Sequence, residues 1–222
     1  WSKIEKLALE LRRNPRQYEQ VKHHYASSIQ SMVETAGERQ VPVILVSVPV
    51  NLRQWHPNVS HQALQGPALH TWERLYRSGE GLLLQGDASG AVRRLQEASE
   101  LAPLHADTHF VLGRALEQAG NYGAALQAYS RARDLDYNPF RTPSDLNQIL
   151  RQIAGRYDHV SLADAEQAFL AASAPLAPGF DLFLDYVHPT QRGNLLVAKT
   201  VYDEIVARGL LGSTSAGSIT AF

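Results

Sequence analysis

The chain has 222 residues, a formal net charge of -1 and 44% hydrophobic residues, a composition typical of a folded globular protein and not of a disordered acidic tail. The balanced charge excludes binding to nucleic acid through bulk positive charge. The absence of cysteine excludes disulfide scaffolds, thiolate zinc sites, iron–sulfur clusters and cysteine nucleophiles. The longest apolar run, Val41 to Val50, is well short of the ~20 residues that a membrane-spanning helix needs.

The amino-terminal part of the sequence predicts two helices followed by a buried strand. Residues 3–13 carry a short helical pattern, and residues 18–36 repeat apolar side chains at three- and four-residue steps. The run from Val41 to Val50 is rich in β-branched residues, which predicts a strand buried on both faces, as in a parallel α/β sheet. The polar segment from Asn51 to Gly66 is predicted to be a loop at the carboxyl end of that strand, where such sheets usually bind ligands.

An internal repeat with a period of 34 residues occupies the middle of the chain. The matched positions are Gly79 and Gly113, Gly86 and Gly120, Ala91 and Ala125, Leu95 and Tyr129, and Ala98 and Ala132. Small residues let paired helices cross closely and larger ones fill the space between them, so residues 72–138 resemble two tetratricopeptide repeats. A helical hairpin that only looks like the repeat is the alternative. Since two repeats bury too little surface to stand alone, we expect them to pack against the rest of the protein.

The residues after the repeats predict a return to an α/β pattern. The predicted elements are a helix ending near Ala154, a short strand at 159–162, a helix at 163–172, an extended stretch at 180–184, and a helix that Thr190 caps and Gly209 ends. The predicted organisation is an α/β segment at residues 1–71, the repeats at 72–138, a second α/β segment at 139–209 and a flexible tail at 210–222. An insert can split one domain in this way when the ends of the loop lie close together.

The sharpest local feature is the pair Asp185 and His188, which lies in the sequence Asp-Tyr-Val-His-Pro before the last predicted helix. Hydrolytic triads use a histidine as general base and a carboxylate that orients it. The three-residue spacing lets the carboxylate reach one ring nitrogen while the other nitrogen faces a cleft. The alternative is a polar loop in which Asp185 accepts hydrogen bonds from backbone amides near a helix start.

The motifs on both sides of the repeats resemble the carboxyl-terminal part of the SGNH/GDSL hydrolase family, whose last motif is Asp-x-x-His. The sequence is similar to a subgroup in which tetratricopeptide repeats interrupt the hydrolase domain. There a strand ending in Val-Pro-x-Asn-Leu-Arg precedes the repeats and a Pro-Phe-Arg turn follows them, as at residues 48–53 and 139–141 here. The resemblance covers roughly residues 16–208. It implies an α/β fold: part of an SGNH-like, flavodoxin-like three-layer parallel sheet with the helical repeat pair inserted.

The resemblance implies an ester hydrolase or acyl-transfer domain that acts on carboxylic esters, such as acylated carbohydrate, without a cofactor. It makes His188 the general base and Asp185 the residue that orients it. The family's serine nucleophile and oxyanion hole match nothing in this chain, which leaves its enzymatic activity open. The start at Trp1 is interpreted as the place where a catalytic half is missing. The resemblance also implies an extracytoplasmic or membrane-anchored location, although the residues themselves leave the compartment open.

Three further residues flank the insert and are the candidates for substrate binding: Asn51, Arg53 and Arg141. Guanidinium groups hold anions and ester oxygens, and a surface or structural role is the alternative for both arginines. His56 and His61 share a loop that lacks an acidic or cysteine partner, so no metal site is predicted. The sequence has no phosphate loop and no basic–aromatic stripe, so no nucleic-acid partner is predicted either.

A binding module is the second functional hypothesis. The two repeats would take a protein partner in their groove, with the α/β residues as scaffold. The missing nucleophile favours this catalytically inactive interpretation, whereas a serine beside His188 would favour the hydrolase. The Gly-Asp-Ala-Ser sequence at residues 86–89 is not interpreted as a nucleophile motif, because it falls at the predicted turn between two repeat helices.

Overall fold

The computed structural model describes residues 14–211, which form helices around a small sheet. In chain order the elements are α1 (Pro15–Glu38), β1 (Val43–Val46), α2 (Gly66–Leu84), α3 (Ala88–Leu101), α4 (Ala106–Gln118), α5 (Tyr122–Asp134), α6 (Ser144–Ala154), β2 (Val160–Ala163), α7 (Ala165–Ser173) and α8 (Gln191–Ala207). The predicted helix at residues 3–13 and all but the first two residues of the predicted tail lie outside the described residues.

The two strands form a parallel pair, as the α/β pattern predicts, with Val43 opposite Val160. The strand predicted over residues 41–50 is only four residues long, and each of its residues is half-buried instead of buried on both faces. The reason is that β1 has a neighbour on one side only, since no other strand among residues 14–211 joins the sheet. Of the predicted three-layer sheet, the structure therefore shows two strands.

Helices cover both faces of the strand pair. On one face α1 and α6 pack against alternate strand residues. The buried members of that cluster are Val33, Ile153 and Val160, with the half-buried Ile29, Val43, Leu45 and Ile149 beside them. Because strand side chains alternate, Ile44 and Ser161 point to the other face, where α8 packs along both strands and Arg208 lies close to them. Thus α1 and α6 share one face, and α8 covers the opposite one.

Helices α2 to α5 form two helix pairs, as the 34-residue period predicts. A side chain added at Gly79 would come within 2.5 Å of Leu95 where α2 crosses α3, and one added at Gly113 would come within 2.7 Å of Tyr129 where α4 crosses α5. Both contacts are shorter than a real Cβ tolerates, so both crossings require glycine. The first helix begins at Gly66, ahead of the predicted start of the repeats at residue 72.

The turns inside the two helix pairs are built alike. Gly86 and Gly120 have φ values of +85° and +78°, a conformation that favours glycine. The next residue in each turn, Asp87 or Asn121, accepts a hydrogen bond from a backbone N–H of the following helix and so caps α3 or α5. The sequence at residues 86–89 therefore forms a turn and a cap.

The repeat helices share a core with the segments on both sides of them. Val50 and Leu52, which follow β1, and Ala177, which follows α7, belong to the same buried cluster as Leu95 and Phe110 of the repeats. A shared cluster removes apolar surface of both parts from water at once. The expectation that two repeats pack against the rest of the protein is confirmed.

Replacing Gly79 tests the close crossing of α2 and α3. We expect Gly79→Ala to lower the free energy of unfolding by about 1–3 kcal/mol, because the added Cβ overlaps the Leu95 side chain. Gly81→Ala is the matched control, since Gly81 lies in the same helix and nothing lies within 4 Å of a Cβ added there. Urea unfolding measures both variants. Equal effects of the two substitutions would contradict the assignment of Gly79 to a packed crossing.

Candidate functional site

Asp185 and His188 lie side by side in the loop before α8. Asp185 Oδ2 is 2.7 Å from His188 Nδ1, and Asp185 Oδ1 accepts hydrogen bonds from the backbone N–H groups of Val187 and His188. The His188 side chain is 68% exposed, and no hydroxyl group among the described residues hydrogen-bonds to its ring. One carboxylate thus does both things that the sequence left open: it orients the imidazole and accepts from backbone amides.

The surroundings of Asp185 favour its charged form. Desolvation raises the pKa of this carboxyl group. The hydrogen bonds from the backbone N–H groups of Val187 and His188, followed by the interaction with the His188 ring, lower the pKa by a larger amount, so that it falls to about 2. The carboxylate is therefore ionised at neutral pH and can hold a proton on Nδ1 of His188. That leaves Nε2 as the nitrogen free to accept a proton, which is the arrangement that a general base needs.

Asn51 fastens the loop of Asp185 to the segment that follows β1. Its side chain is completely buried, and Nδ2 donates to the carbonyl oxygen of Asp185 at 3.0 Å. Its backbone N–H donates to the carbonyl oxygen of Tyr186 at 3.0 Å, and its Oδ1 accepts from the N–H of Gln54 at 3.0 Å. Because both ends of the amide have a protein partner, Asn51 positions this loop.

Arg141 binds the same segment from the other end of the insert. Its Nη1 donates to the carbonyl oxygens of Asn51 at 3.0 Å and Trp55 at 2.9 Å, and the residue is only 2% exposed. Burial lowers the pKa of Arg141 to about 10, so the guanidinium remains a cation at neutral pH. The structure therefore places Arg141 and Asn51, two of the candidates for substrate binding, inside the protein as supports of the loop.

Arg53, the third candidate, lines a cavity of about 690 Å³ between its own loop and the repeats. The repeat side of the cavity is formed by Phe110, Arg114 and Glu117 of α4 and by Tyr122 and Tyr129 of α5. Arg53 Nη1 lies 3.9 Å from the Glu117 carboxylate. Neither Asp185 nor His188 lines this cavity. Of the predicted site residues, Asp185 and His188 therefore lie together in the loop before α8, Asn51 and Arg141 are buried beneath that loop, and Arg53 alone lines the cavity.

The segment at residues 53–59 also contacts the repeats through partners that the sequence did not predict. His56 Nδ1 lies 3.2 Å from the Asp107 carboxylate, and its ring centroid lies 4.1 Å from that of Phe110. The buried Asp136 accepts hydrogen bonds from two backbone N–H groups of the segment. The pair His56 and Asp107 is 51 residues apart, a separation at which no local pattern in the sequence could have revealed it.

The described residues contain no group of three or more side chains that could hold a metal ion. The two histidines considered for zinc have separate partners: His56 pairs with Asp107, and His61 stacks on Tyr137 with ring centroids 4.9 Å apart. Between residues 14 and 211, no helix combines the length and the apolar character needed to span a membrane.

The lowered pKa of Asp185 predicts how stability depends on pH. A carboxyl group whose pKa falls on folding stabilises the folded state above its unfolded pKa of ~3.9. That contribution is lost as the pH falls toward the folded pKa of about 2. We expect stability to drop between about pH 4 and pH 2, and Asp185→Asn to reduce that drop, in urea unfolding at each pH.

His188→Ala is the control for this pH effect. The backbone donors of Val187 and residue 188 remain in that variant, so most of the drop should persist. A drop in Asp185→Asn as large as in the unmodified protein would contradict the role given to these hydrogen bonds.

Comparisons with known proteins bear on the middle of the chain. A family model of the tetratricopeptide repeat matches residues 76–139, which is less than a third of the chain. Searches of the curated proteins and of the solved structures found no match. The comparisons give no support to the hydrolase resemblance predicted for the flanking residues. The 34-residue period, the two helix pairs and the family match agree that residues 76–139 are tetratricopeptide repeat.

Proposed function

We propose that the protein is an interaction scaffold that binds a segment of a partner protein in the cavity between residues 53–56 and the repeats. Tetratricopeptide repeats typically bind protein partners, and the family match at residues 76–139 supports that role here. The cavity of about 690 Å³ falls within the range of about 300–1,000 Å³ that is usual for binding pockets, enough for a few side chains of a partner.

The unpaired cation of Arg114 is the observation that carries this proposal. Arg114 is exposed, lines the cavity, and has no hydrogen-bond or ion-pair partner among the described residues. Glu117, one turn along α4, is by contrast engaged by Tyr129 Oη at 3.1 Å and by Arg53. Two arginines and one glutamate leave the cavity with net positive charge, so the partner segment is expected to present an acidic side chain.

The aromatic and aliphatic side chains that line the cavity add a second requirement, which is that the partner segment presents an apolar side chain. Phe110 lies one helical turn before Arg114, so the two side chains share one face of α4. Tyr129 lies against Phe110 with ring centroids 5.5 Å apart, and both residues are 1% exposed. The apolar surface that a partner can cover comes from Tyr122, which is 39% exposed, and from the half-buried Leu176, both of which line the cavity. A partner segment with an acidic residue beside an aromatic or aliphatic one therefore fits the chemistry of the cavity, which combines a charge-assisted hydrogen bond with burial of apolar surface.

A peptide-display selection on the immobilised protein tests the proposed binding. We expect the enriched peptides to carry an acidic residue beside an aromatic or aliphatic one. Arg114→Ala should weaken their binding at least about tenfold, because a charge-assisted hydrogen bond contributes roughly 1.5–3 kcal/mol. Calorimetry or fluorescence anisotropy with a synthetic peptide measures this change.

Arg94→Ala is the matched control for Arg114→Ala. Arg94 is an exposed arginine of α3 that pairs with Glu97 and does not line the cavity, so its loss should leave peptide affinity unchanged. Enriched peptides without acidic residues, or equal affinities of the two variants, would overturn the proposal.

An ester hydrolase or acyl-transfer domain is the second candidate, favoured by the distance of 2.7 Å between Asp185 Oδ2 and His188 Nδ1. In this proposal His188 is the general base, the substrate is a carboxylic ester such as acylated carbohydrate, and the parallel strand pair is part of a three-layer sheet. The division of the α/β part into residues 1–71 and 139–209 around the repeats belongs to the same proposal.

His188→Ala in the full-length protein tests the second candidate. If His188 is the base, turnover of short acyl esters should fall by at least about 10²-fold, the lower bound for general-base catalysis. Unchanged turnover, or no turnover in the unmodified protein, would exclude this role and leave the scaffold as the function of the chain.

A further inference from the structure

A second cavity, of about 360 Å³, lies next to the cavity beside the repeats (the first cavity). Three residues line both cavities and form a ridge between them: Arg53, Gln54 and Leu176. The other lining residues of the second cavity lie at the end of α7 and in the loop that follows it: Ser173, Ala177, Phe180 and Asp181. Because the ridge is shared, the two cavities form one groove that leads from the repeats to the α/β part.

Hydrogen bonds between two segments of the chain hold the ridge in place. The backbone N–H groups of Leu52 and Arg53 donate to the carbonyl oxygen of Pro178 at 3.0 and 3.1 Å. The backbone N–H of Phe180 donates to Oε1 of Gln54 at 2.7 Å. The ridge is therefore formed before any partner binds, which lowers the entropic cost of binding.

Gln54 presents a hydrogen-bond donor on this ridge. Because its Oε1 accepts from a backbone N–H, the orientation of the amide is determined, and Nε2 carries the two side-chain N–H groups. Gln54 is exposed, and its Nε2 has no hydrogen-bond partner among residues 14–211. A polypeptide that crosses the ridge in an extended conformation offers a backbone carbonyl oxygen to this donor.

The second cavity fits an uncharged apolar side chain. Phe180 is 45% exposed and Leu176 is half-buried, so both have apolar surface that a partner can cover. The carboxylate of Asp181 lies 3.6 Å from Nη1 of Arg192, so its charge has a counter-ion within the protein. The first cavity differs, because Arg114 gives it a cation without a partner among the described residues.

We propose that the partner segment is an extended polypeptide that occupies both cavities. Its acidic and apolar residues fill the first cavity, a backbone carbonyl oxygen accepts from Nε2 of Gln54, and a second apolar side chain covers Phe180. This inference rests on the proposed function and extends the binding site from the repeats into the α/β part. The repeats alone hold only one end of the segment.

Truncated peptides together with Phe180→Ala test the inference. Peptides from the display selection are synthesised whole and with residues removed from either end. We expect Phe180→Ala to weaken binding of the whole peptide at least about fivefold, because apolar surface is no longer buried, and to leave unchanged the binding of a peptide that lacks the end in the second cavity. Leu184→Ala is the matched control, since Leu184 lies in the same loop, is 70% exposed and lines neither cavity. Fluorescence anisotropy measures the affinities.

The outcomes separate this inference from the proposed function. If Arg114→Ala weakens binding but Phe180→Ala does not, the partner stays in the first cavity, and the inference is overturned while the proposed function stands. If no peptide binds, both fail. Self-association seen by light scattering and abolished by Phe180→Ala would make a second copy of the chain the occupant and would also overturn the inference.

Discussion

The structure depends on one buried guanidinium. Arg141 lies after the repeats and donates to the carbonyl oxygens of Asn51 and Trp55, which lie before them. Arg141 therefore links the two ends of the insert, namely the point where the chain leaves the α/β part after β1 and the point where it returns before α6. Because Arg141 is 2% exposed, a loss of these carbonyl acceptors would leave the guanidinium with only the nearby carboxylates of Asp136 and Asp134 as favourable partners, and a buried polar group without its hydrogen bonds costs free energy. The two ends of the insert are thus held at a fixed separation.

The segment between β1 and α2 has two sides with different roles. Asn51 turns toward the loop of Asp185 and holds its carbonyl oxygen, whereas Arg53 and His56 turn toward the repeats, where both line the cavity. The same segment therefore contacts the loop of Asp185 and His188 on one side and forms a wall of the cavity on the other, although neither Asp185 nor His188 lines the cavity. The binding proposed at the repeats thus concerns the cavity and not His188.

Patterns that repeat within a short distance could be predicted from the sequence, and contacts between distant segments could not. The 34-residue period gave the helix pairs, because Gly79 and Gly113 occupy the same crossing in each repeat, and the spacing of Asp185 and His188 gave their hydrogen bond. The prediction that β1 is buried on both faces was wrong, because an apolar run in the sequence does not reveal whether the strand has a neighbour on each side. The partners of Asn51 and Arg141 could not be predicted, because they lie up to 134 residues away, although a structural role is one of the alternatives that the sequence offers for Arg141.

The central claim is that Arg141 and Asn51 act as one unit that holds the insert and the Asp185 loop together. A double-mutant cycle in urea unfolding tests it most directly, with Arg141→Met, Asn51→Ala and the double variant. Asn51→Ala keeps the backbone carbonyl oxygen that accepts from Arg141 but removes the amide oxygen that accepts from Gln54 and so fixes the turn that carries this carbonyl. Because the two sites are coupled through that turn, the account predicts a coupling free energy of at least about 1 kcal/mol. The exposed Asn194 supplies the control cycle, Arg141→Met with Asn194→Ala, which should be additive. Additivity of Arg141 and Asn51 within roughly 0.5 kcal/mol would contradict the account.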